Sequence, residues 1–299
     1  MSNVPSCISC GKETKKLFIS KDYNRQTNNK IFTYNQCYNC GTVSLLNIPN
    51  DLNKYYSDSY YWIPDTLKQL EVASQAERYK IDIVKKFITS GSLIEIGPAS
   101  GGFAYLAKES GFNVRLIELN ERCCNFLRDT GKFNVVHCID ELQAIKDSDN
   151  VDVIALWHVI EHLSDPWEML TAISDKLNKN GVLILAFPNI SSLQFKLFGR
   201  FWTHLDAPRH IHFFPSSLII ERMKVYGLRC VMETTTDIGG REWDSFGWQH
   251  TMSNIFKNYY LKILTKKIGI CISKIFSLYE QRKDRGSTYT LVFKKEVVN

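Results

Sequence analysis

From residue 92 onward, short apolar runs alternate with stretches whose apolar residues recur at helical spacing. Runs at 93–96, 114–118, 135–138, 151–157 and 182–187 predict strands, and helical patterns at 103–110, 121–130 and 166–179 fall between them. That order is the signature of a parallel sheet covered by helices. The third helix is framed by Ser164 or Asp165 as N-cap and Pro166 in the first turn. Leu170, Ile173 and Leu177 sit at core spacing, with Gly181 just beyond the end. Two later runs, 228–233 and 289–294, read as further strands. Ahead of the sheet, 67–87 carries helical periodicity behind KYYSDSYYWIPD (54–65), a tyrosine-dense connector that is either a packed linker or a set of rings over a substrate mouth.

Composition narrows the class. A chain of 299 residues holds one large domain, or one domain plus a small module. A net charge of +6 permits weak attraction to anionic partners without indicating a nucleic-acid protein. The N-terminus MSNVPSCISC has no basic segment leading into an apolar run, and no stretch approaches the roughly 20 apolar residues of a bilayer span. A cytoplasmic protein without signal peptide or transmembrane helix is expected.

Nine cysteines in a chain of this length do not suggest a disulfide framework, but four of them are spaced for metal. Cys7-Ile-Ser-Cys10-Gly11 and Cys37-Tyr-Asn-Cys40-Gly41 are two CxxCG knuckles separated by 26 residues. Each two-residue gap lets both thiolates face one ion, and the glycine permits the tight turn. Cys7, Cys10, Cys37 and Cys40 are therefore the expected ligands of a structural zinc, whose binding would supply folding energy to a module over 1–50. Strand candidates at 17–19 and 31–34 lie between the knuckles. A redox role would need one pair opening a helix in a thioredoxin-like unit. Cys123, Cys124, Cys138, Cys230 and Cys271 follow no ligand spacing and read as small buried apolar residues.

The first strand-to-helix turn reads LIEIGPASGGFAYLA. Gly97 and Gly101 before a helix let a ligand approach bare backbone, and Glu118 lies 21 residues after Gly97 at the tip of the next strand, where a carboxylate can accept both hydroxyls of a ribose. Ala99 replaces the middle glycine of a dinucleotide loop, and Pro98 removes an N–H donor, so the phosphate cradle is poor. Glu95, two residues before the first glycine, suits a cationic ligand. The combination points to S-adenosylmethionine, whose amino group and sulfonium are both positive.

The chain thereby resembles the class I S-adenosylmethionine-dependent methyltransferases. More narrowly it is similar to a branch carrying an acidic-x-G-x-x-x-G loop, W-H-V-[IL]-E-H-L-x-D-P and H-L-D-x-P-R-H; here these are EIGPASG (95–101), WHVIEHLSDP (157–166) and HLDAPRH (204–210). The likeness spans about 75–238 and resumes in the final strand. It implies an α/β, Rossmann-like seven-stranded sheet whose last strand is antiparallel. It also implies that Gly97 and Gly101 line the methionine part of the cofactor with Glu95 nearby, that Glu118 holds the ribose beside Leu119 at the adenine, and that Trp157 and His158 close over the methionine end. Pro98 and Ala99 depart from the usual loop.

Methyl transfer needs alignment, exclusion of water and, for an acceptor that must lose a proton, a base. His162 follows Glu161 at the carboxyl edge of the sheet, where it either acts as base or ties down the following loop. HLDAPRHIHFF (204–214) returns over the same edge. A metal cage of His204, His210 and His212 is disfavoured, because His-x-His side chains diverge in an extended stretch. His210 is the expected base, with His162 second; His204 and Asp206 support the segment or contact substrate. Arg209 braces the loop or grips an acidic substrate group. His212, between Ile211 and Phe213, reads as packing.

Residues 254–279 contain five lysines and no acidic residue, with Ile255, Tyr259, Ile263, Ile268, Ile272 and Phe276 at helical intervals. The favoured expectation is a helical cap or a dimer face; peripheral contact with an anionic membrane is the competitor.

The chain thus divides into a zinc-ribbon module (1–50), an aromatic connector and helix (51–90), a methyltransferase core (91–238), a helical insertion (239–286) and the final core strand (287–299). A small-molecule or sugar acceptor, such as a nucleotide-linked or surface-glycan precursor, follows from the resemblance. An RNA methyltransferase and a non-catalytic zinc-dependent scaffold are the alternatives.

Overall fold

The computed structural model describes residues 5–56 and 60–296. Positions 57–59 of the aromatic connector, 1–4 of the N-terminal module and 297–299 of the last segment lie outside the described residues.

In chain order the elements are β1 (Lys15–Ser20), β2 (Phe32–Gln36), β3 (Val43–Leu45), α1 (Leu67–Ser74), α2 (Arg78–Lys85), β4 (Gly91–Ile96), α3 (Gly102–Glu109), β5 (Phe112–Glu118), α4 (Glu121–Asp129) and β6 (Asn134–His137). Then follow α5 (Glu141–Lys146), β7 (Val151–Trp157), α6 (Pro166–Lys176), β8 (Leu177–Pro188), α7 (Leu193–Phe198), β9 (His212–Phe213) and α8 (Ser216–Val225). The chain closes with β10 (Leu228–Thr234), α9 (Ile238–Asn254), α10 (Tyr259–Glu280) and β11 (Thr288–Lys295).

Among the described residues, seven strands form one sheet in the order β10-β11-β8-β7-β4-β5-β6, with β11 antiparallel to both of its neighbours, as expected. The central strands carry buried apolar stretches, such as 153–157 of β7 and 182–187 of β8, because both faces are covered. Ile94 and Ile96 enter the layer packed by α6 and α8, whereas Leu93 enters the layer packed by α3 and α4. The expected frame of α6 is present: Asp165 accepts from Glu168 N at 2.9 Å, and Pro166 opens the helix. The helix nevertheless ends at Lys176, three residues earlier than its periodicity suggests. Leu177 already pairs with Val151, and Asn178 Nδ2 donates to Asp152 Oδ1 at 2.8 Å, so the sheet captures these residues as the start of β8.

A second sheet, β1-β2-β3-β9, ties the N-terminal segment to a strand far along the chain. Its fourth strand is His212–Phe213, supplied by the segment that follows the methyltransferase-like motifs. A separate apolar core joins the two regions through Phe32, Tyr34, Leu45, Trp202, Leu205 and Phe213. Cys123 and Cys124 are buried as expected, but Cys138 and Cys230 are only partly covered, and Cys271 is exposed because it faces outward on α10.

Candidate active site

At the carboxyl end of β4 the chain turns through Gly97, Ala99 and Gly101, all with positive φ (66°, 51° and 81°). Side chains rarely adopt this geometry, and Ala99 holds it against its Cβ. A Cβ on Gly97 would come within 2.8 Å of Val159 Cγ2, so the loop lies directly against the segment leaving β7. Glu118, at the end of β5, accepts from Ala99 N at 3.0 Å and Asn120 N at 2.7 Å. Each of its oxygens keeps a lone pair for a ligand hydroxyl.

Glu95 is buried and its Oε2 has no hydrogen-bond partner. Burial pushes its carboxyl up to about 8, against the pull of Lys80. An orphaned carboxyl oxygen below the loop and a second carboxylate at the next strand tip fit the cationic end and the ribose of S-adenosylmethionine. Trp157 packs edge-on against Phe103, centroids 5.5 Å apart, while Leu119 is exposed at the rim.

Beside this loop stands a carboxylate with three histidines. Glu161 is 1% exposed, and neither side-chain oxygen has a hydrogen-bond donor. His158 Nδ1 lies 3.5 Å and His210 Nε2 4.0 Å from Glu161 Oε1. Burial raises the Glu161 carboxyl, but the approach of His158 and His210 outweighs it and leaves the group below its usual range. His210 Nδ1 is 2.8 Å from the His204 carbonyl. A carbonyl only accepts, so Nδ1 carries the proton and Nε2 presents its lone pair toward Glu161. His162 Nδ1 is likewise 3.0 Å from the Arg209 carbonyl and 3.0 Å from the Tyr56 hydroxyl. Desolvation pushes His162 down to about 4, so it is neutral near pH 7. Tyr56, Tyr60 and Tyr61 of the connector pack on one another with centroids 4.8–6.4 Å apart, and Tyr56 also contacts the His162 ring.

The other residues of 204–212 do different work. Arg209 is fully buried, and all five guanidinium N–H groups are taken: Nε by Asp206, Nη1 by Asp22 and the Tyr55 carbonyl, and Nη2 by Asp22 and Asp206. The reading of Arg209 as a substrate fork therefore gives way to that of a brace, because no donor is left to offer. Asp206 is held well below its usual range: burial opposes ionisation, but the Arg209 guanidinium prevails. Of the two readings given to Asp206, support of the segment or contact with substrate, the geometry matches the first: it belongs to the same brace. His204 Nε2 donates to the Trp243 carbonyl at 3.0 Å, and burial pushes the ring down to about 3, so it too is structural. His212 contacts Ser44 Oγ at 3.0 Å within the β3–β9 pair.

The four cysteine sulfurs of the knuckles lie within 4.8 Å of one another. Gly11 N bonds the Cys7 carbonyl and Gly41 N the Cys37 carbonyl, giving two matching turns. From this module Tyr34 reaches the His210 carbonyl at 2.9 Å, and Leu45 N bonds the Ile211 carbonyl at 2.8 Å.

Of the residues singled out from sequence, His158, His162 and His210 come together, while His204, Asp206, Arg209 and His212 point elsewhere. Glu161, given no role of its own from the sequence, stands with those three histidines, and its place beside His162 inside WHVIEHL is the signal that could find it. Asp22 carried no motif.

A family model described as a methyltransferase domain matches residues 71–233. No match was found among curated proteins. Similar solved structures include a SAM dependent methyltransferase from Archaeoglobus fulgidus, 21% identical, covering 76% of this chain and 94% of that one with a TM-score of 0.50. The cyclopropane synthase MmaA2 from Mycobacterium tuberculosis is 12% identical, covering 74% and 84% with a TM-score of 0.52. The mycolic acid cyclopropane synthase CmaA1, complexed with SAH and CTAB, is 10% identical, covering 83% and 95% with a TM-score of 0.53. At these identities the likeness to the structures is one of fold.

Proposed function

The chain belongs to the methyltransferase-domain family and is an S-adenosylmethionine-dependent methyltransferase; from that premise we propose that it methylates a small-molecule or sugar acceptor whose proton is taken by His210. The observation that carries this reading is the buried, donorless Glu161 carboxylate set against His210 Nε2 beside the loop that follows β4. Bound cofactor supplies a methyl carbon already activated by its sulfonium. Glu95, Gly97 and Gly101 would hold the methionine end, Glu118 and Leu119 the nucleoside, and Trp157 and His158 the approach between them.

On the acceptor side, His210 Nε2 has the lone pair that an acceptor O–H or N–H requires, and Nδ1 is fixed by the His204 carbonyl. When the ring takes the proton, the Glu161 carboxylate 4.0 Å from Nε2 stands ready to balance the imidazolium charge. The Tyr56, Tyr60 and Tyr61 rings offer apolar faces with polar edges, suited to a sugar ring. His162 remains neutral and orients the Tyr56 hydroxyl. A structural zinc on Cys7, Cys10, Cys37 and Cys40 would hold the module that carries Tyr34 and β3.

A second reading is favoured by one observation: a ligand atom each from Glu161, His162 and His210 lies within 4.8 Å of the others. Two imidazoles with Nδ1 tied to backbone carbonyls plus a free carboxylate suit a divalent cation that would activate the acceptor in place of a base.

The test is transfer of labelled methyl from S-adenosylmethionine to a panel of nucleotide sugars and polar small molecules. Label in a sugar or small-molecule product supports the reading, and label confined to RNA refutes it. Activity that falls on removing free divalent ions and returns with Mn²⁺ selects the cation reading.

A further inference from the structure

We propose that α10 lays its outer face on an anionic phospholipid surface. The helix meets α9 through its small residues: Thr265, Gly269 and Ser273, four positions apart, are buried. A Cβ on Gly269 would come within 2.7 Å of both Gln249 Cα and the Trp248 carbonyl oxygen, so the two backbones touch. Phe276 stacks on Trp248 with centroids 5.2 Å apart, and Glu280 closes the contact by accepting from Trp248 Nε1 at 3.0 Å.

The apolar residues face the other way. Leu261, Leu264, Ile268, Cys271, Ile275 and Leu278 recur at alternating steps of three and four and are all exposed, with Ile275 at 72% and Leu278 at 78%. A core-facing helix buries such a stripe. Here it runs for about 26 Å at the usual helical rise, uncovered by any described part of the chain.

Charge selects the occupant. Residues 254–279 hold five lysines and no acidic residue, and the exposed Lys267 and Lys274 fall on the helix face adjoining the stripe. A second copy would bring like charge against like charge, with no carboxylate on the segment to pair it. A layer of anionic headgroups complements the lysines while acyl chains receive the stripe. Tyr259 and Tyr260, 69% and 78% exposed at the helix start, suit the headgroup level. No helix among the described residues is long and apolar enough to cross a membrane, so the contact is one of lying on the surface.

Flotation of the full chain with vesicles tests this without reference to turnover or acceptor. Binding is expected to vesicles of phosphatidylcholine and phosphatidylglycerol in equal parts, and not to phosphatidylcholine alone. The pair Ile275→Asp and Leu278→Asp, and separately the set Lys266→Gln, Lys267→Gln and Lys274→Gln, should each weaken binding by at least about tenfold. Unchanged thermal unfolding midpoints would show that the variants fold. Failure to bind anionic vesicles, or binding indifferent to both sets, overturns the proposal. A dimer in sedimentation that the Ile275 and Leu278 changes dissociate would assign the stripe to a second copy instead.

Discussion

Tyr34, on β2 of the cysteine-bearing module, donates its hydroxyl proton to the carbonyl of His210 at 2.9 Å. The residue proposed to take the acceptor's proton is thus held from a sheet outside the methyltransferase core. Tyr34→Phe keeps the ring in its apolar setting but leaves a shielded carbonyl without its donor, a loss of about 1–3 kcal/mol. Turnover should fall roughly tenfold, with cofactor affinity unchanged by calorimetry. Equal turnover in the variant would show that the bond does not position His210.

The same linkage would give a zinc held by Cys7, Cys10, Cys37 and Cys40 an indirect part in activity. Cys40→Ser, or removal of the metal with a chelator, should release the β3–β9 pairing and lower activity, while cofactor binding by the 97–101 loop persists. Zinc content by atomic absorption, followed alongside activity, checks this; full activity in metal-free protein would separate the module from the site.

Asp22→Asn removes the charge that faces Arg209 at 2.8 Å where both side chains are fully covered. Breaking one partner of a buried pair leaves the guanidinium undercompensated and should cost about 3–5 kcal/mol in denaturant unfolding. A loss under about 1 kcal/mol, the level of a surface pair, would contradict the brace assigned to Arg209.

His212 supplies a pH signature. Desolvation pushes its ring down to about 4, whereas in the unfolded chain it titrates near its ordinary value of about 6.5. As pH falls through that window the unfolded chain takes up the proton first, so this ring's contribution is complete above about 6.5 and is lost toward about 4. His212→Asn keeps a polar atom near Ser44 and does not titrate. The stability gap between wild type and variant should therefore shift toward the variant as pH falls from about 7 to about 4. A gap independent of pH would mean that the ring is not buried neutral.

The sheet was legible because burial on both faces leaves continuous apolar runs such as 153–157 and 182–187, and because Asp165 and Pro166 mark a helix start in local chemistry. The end of α6 was not legible: Leu177 satisfies both the helical period and the pairing with Val151, and only the sheet decides between them. The knuckle cysteines were legible from spacing, but β9 was not, since two residues gain strand character only from β3 beside them. Among the site residues, His210 and His162 were legible through their motifs. Arg209 was ambiguous because the same guanidinium can bind a substrate or a carboxylate of its own chain, and Asp22, which settles it, lies 187 positions away. In α10 the apolar period signalled a helix correctly while concealing which face the neighbours cover.

The most direct test of the site is His210→Gln, read by two measurements on one preparation: cofactor affinity by calorimetry and labelled-methyl transfer to the acceptor found in the panel. Affinity within about twofold of wild type together with turnover lower by on the order of a hundredfold or more is the expected result, the size of a lost general base. Wild-type turnover with intact cofactor binding would contradict the assignment of His210 as the residue that takes the proton.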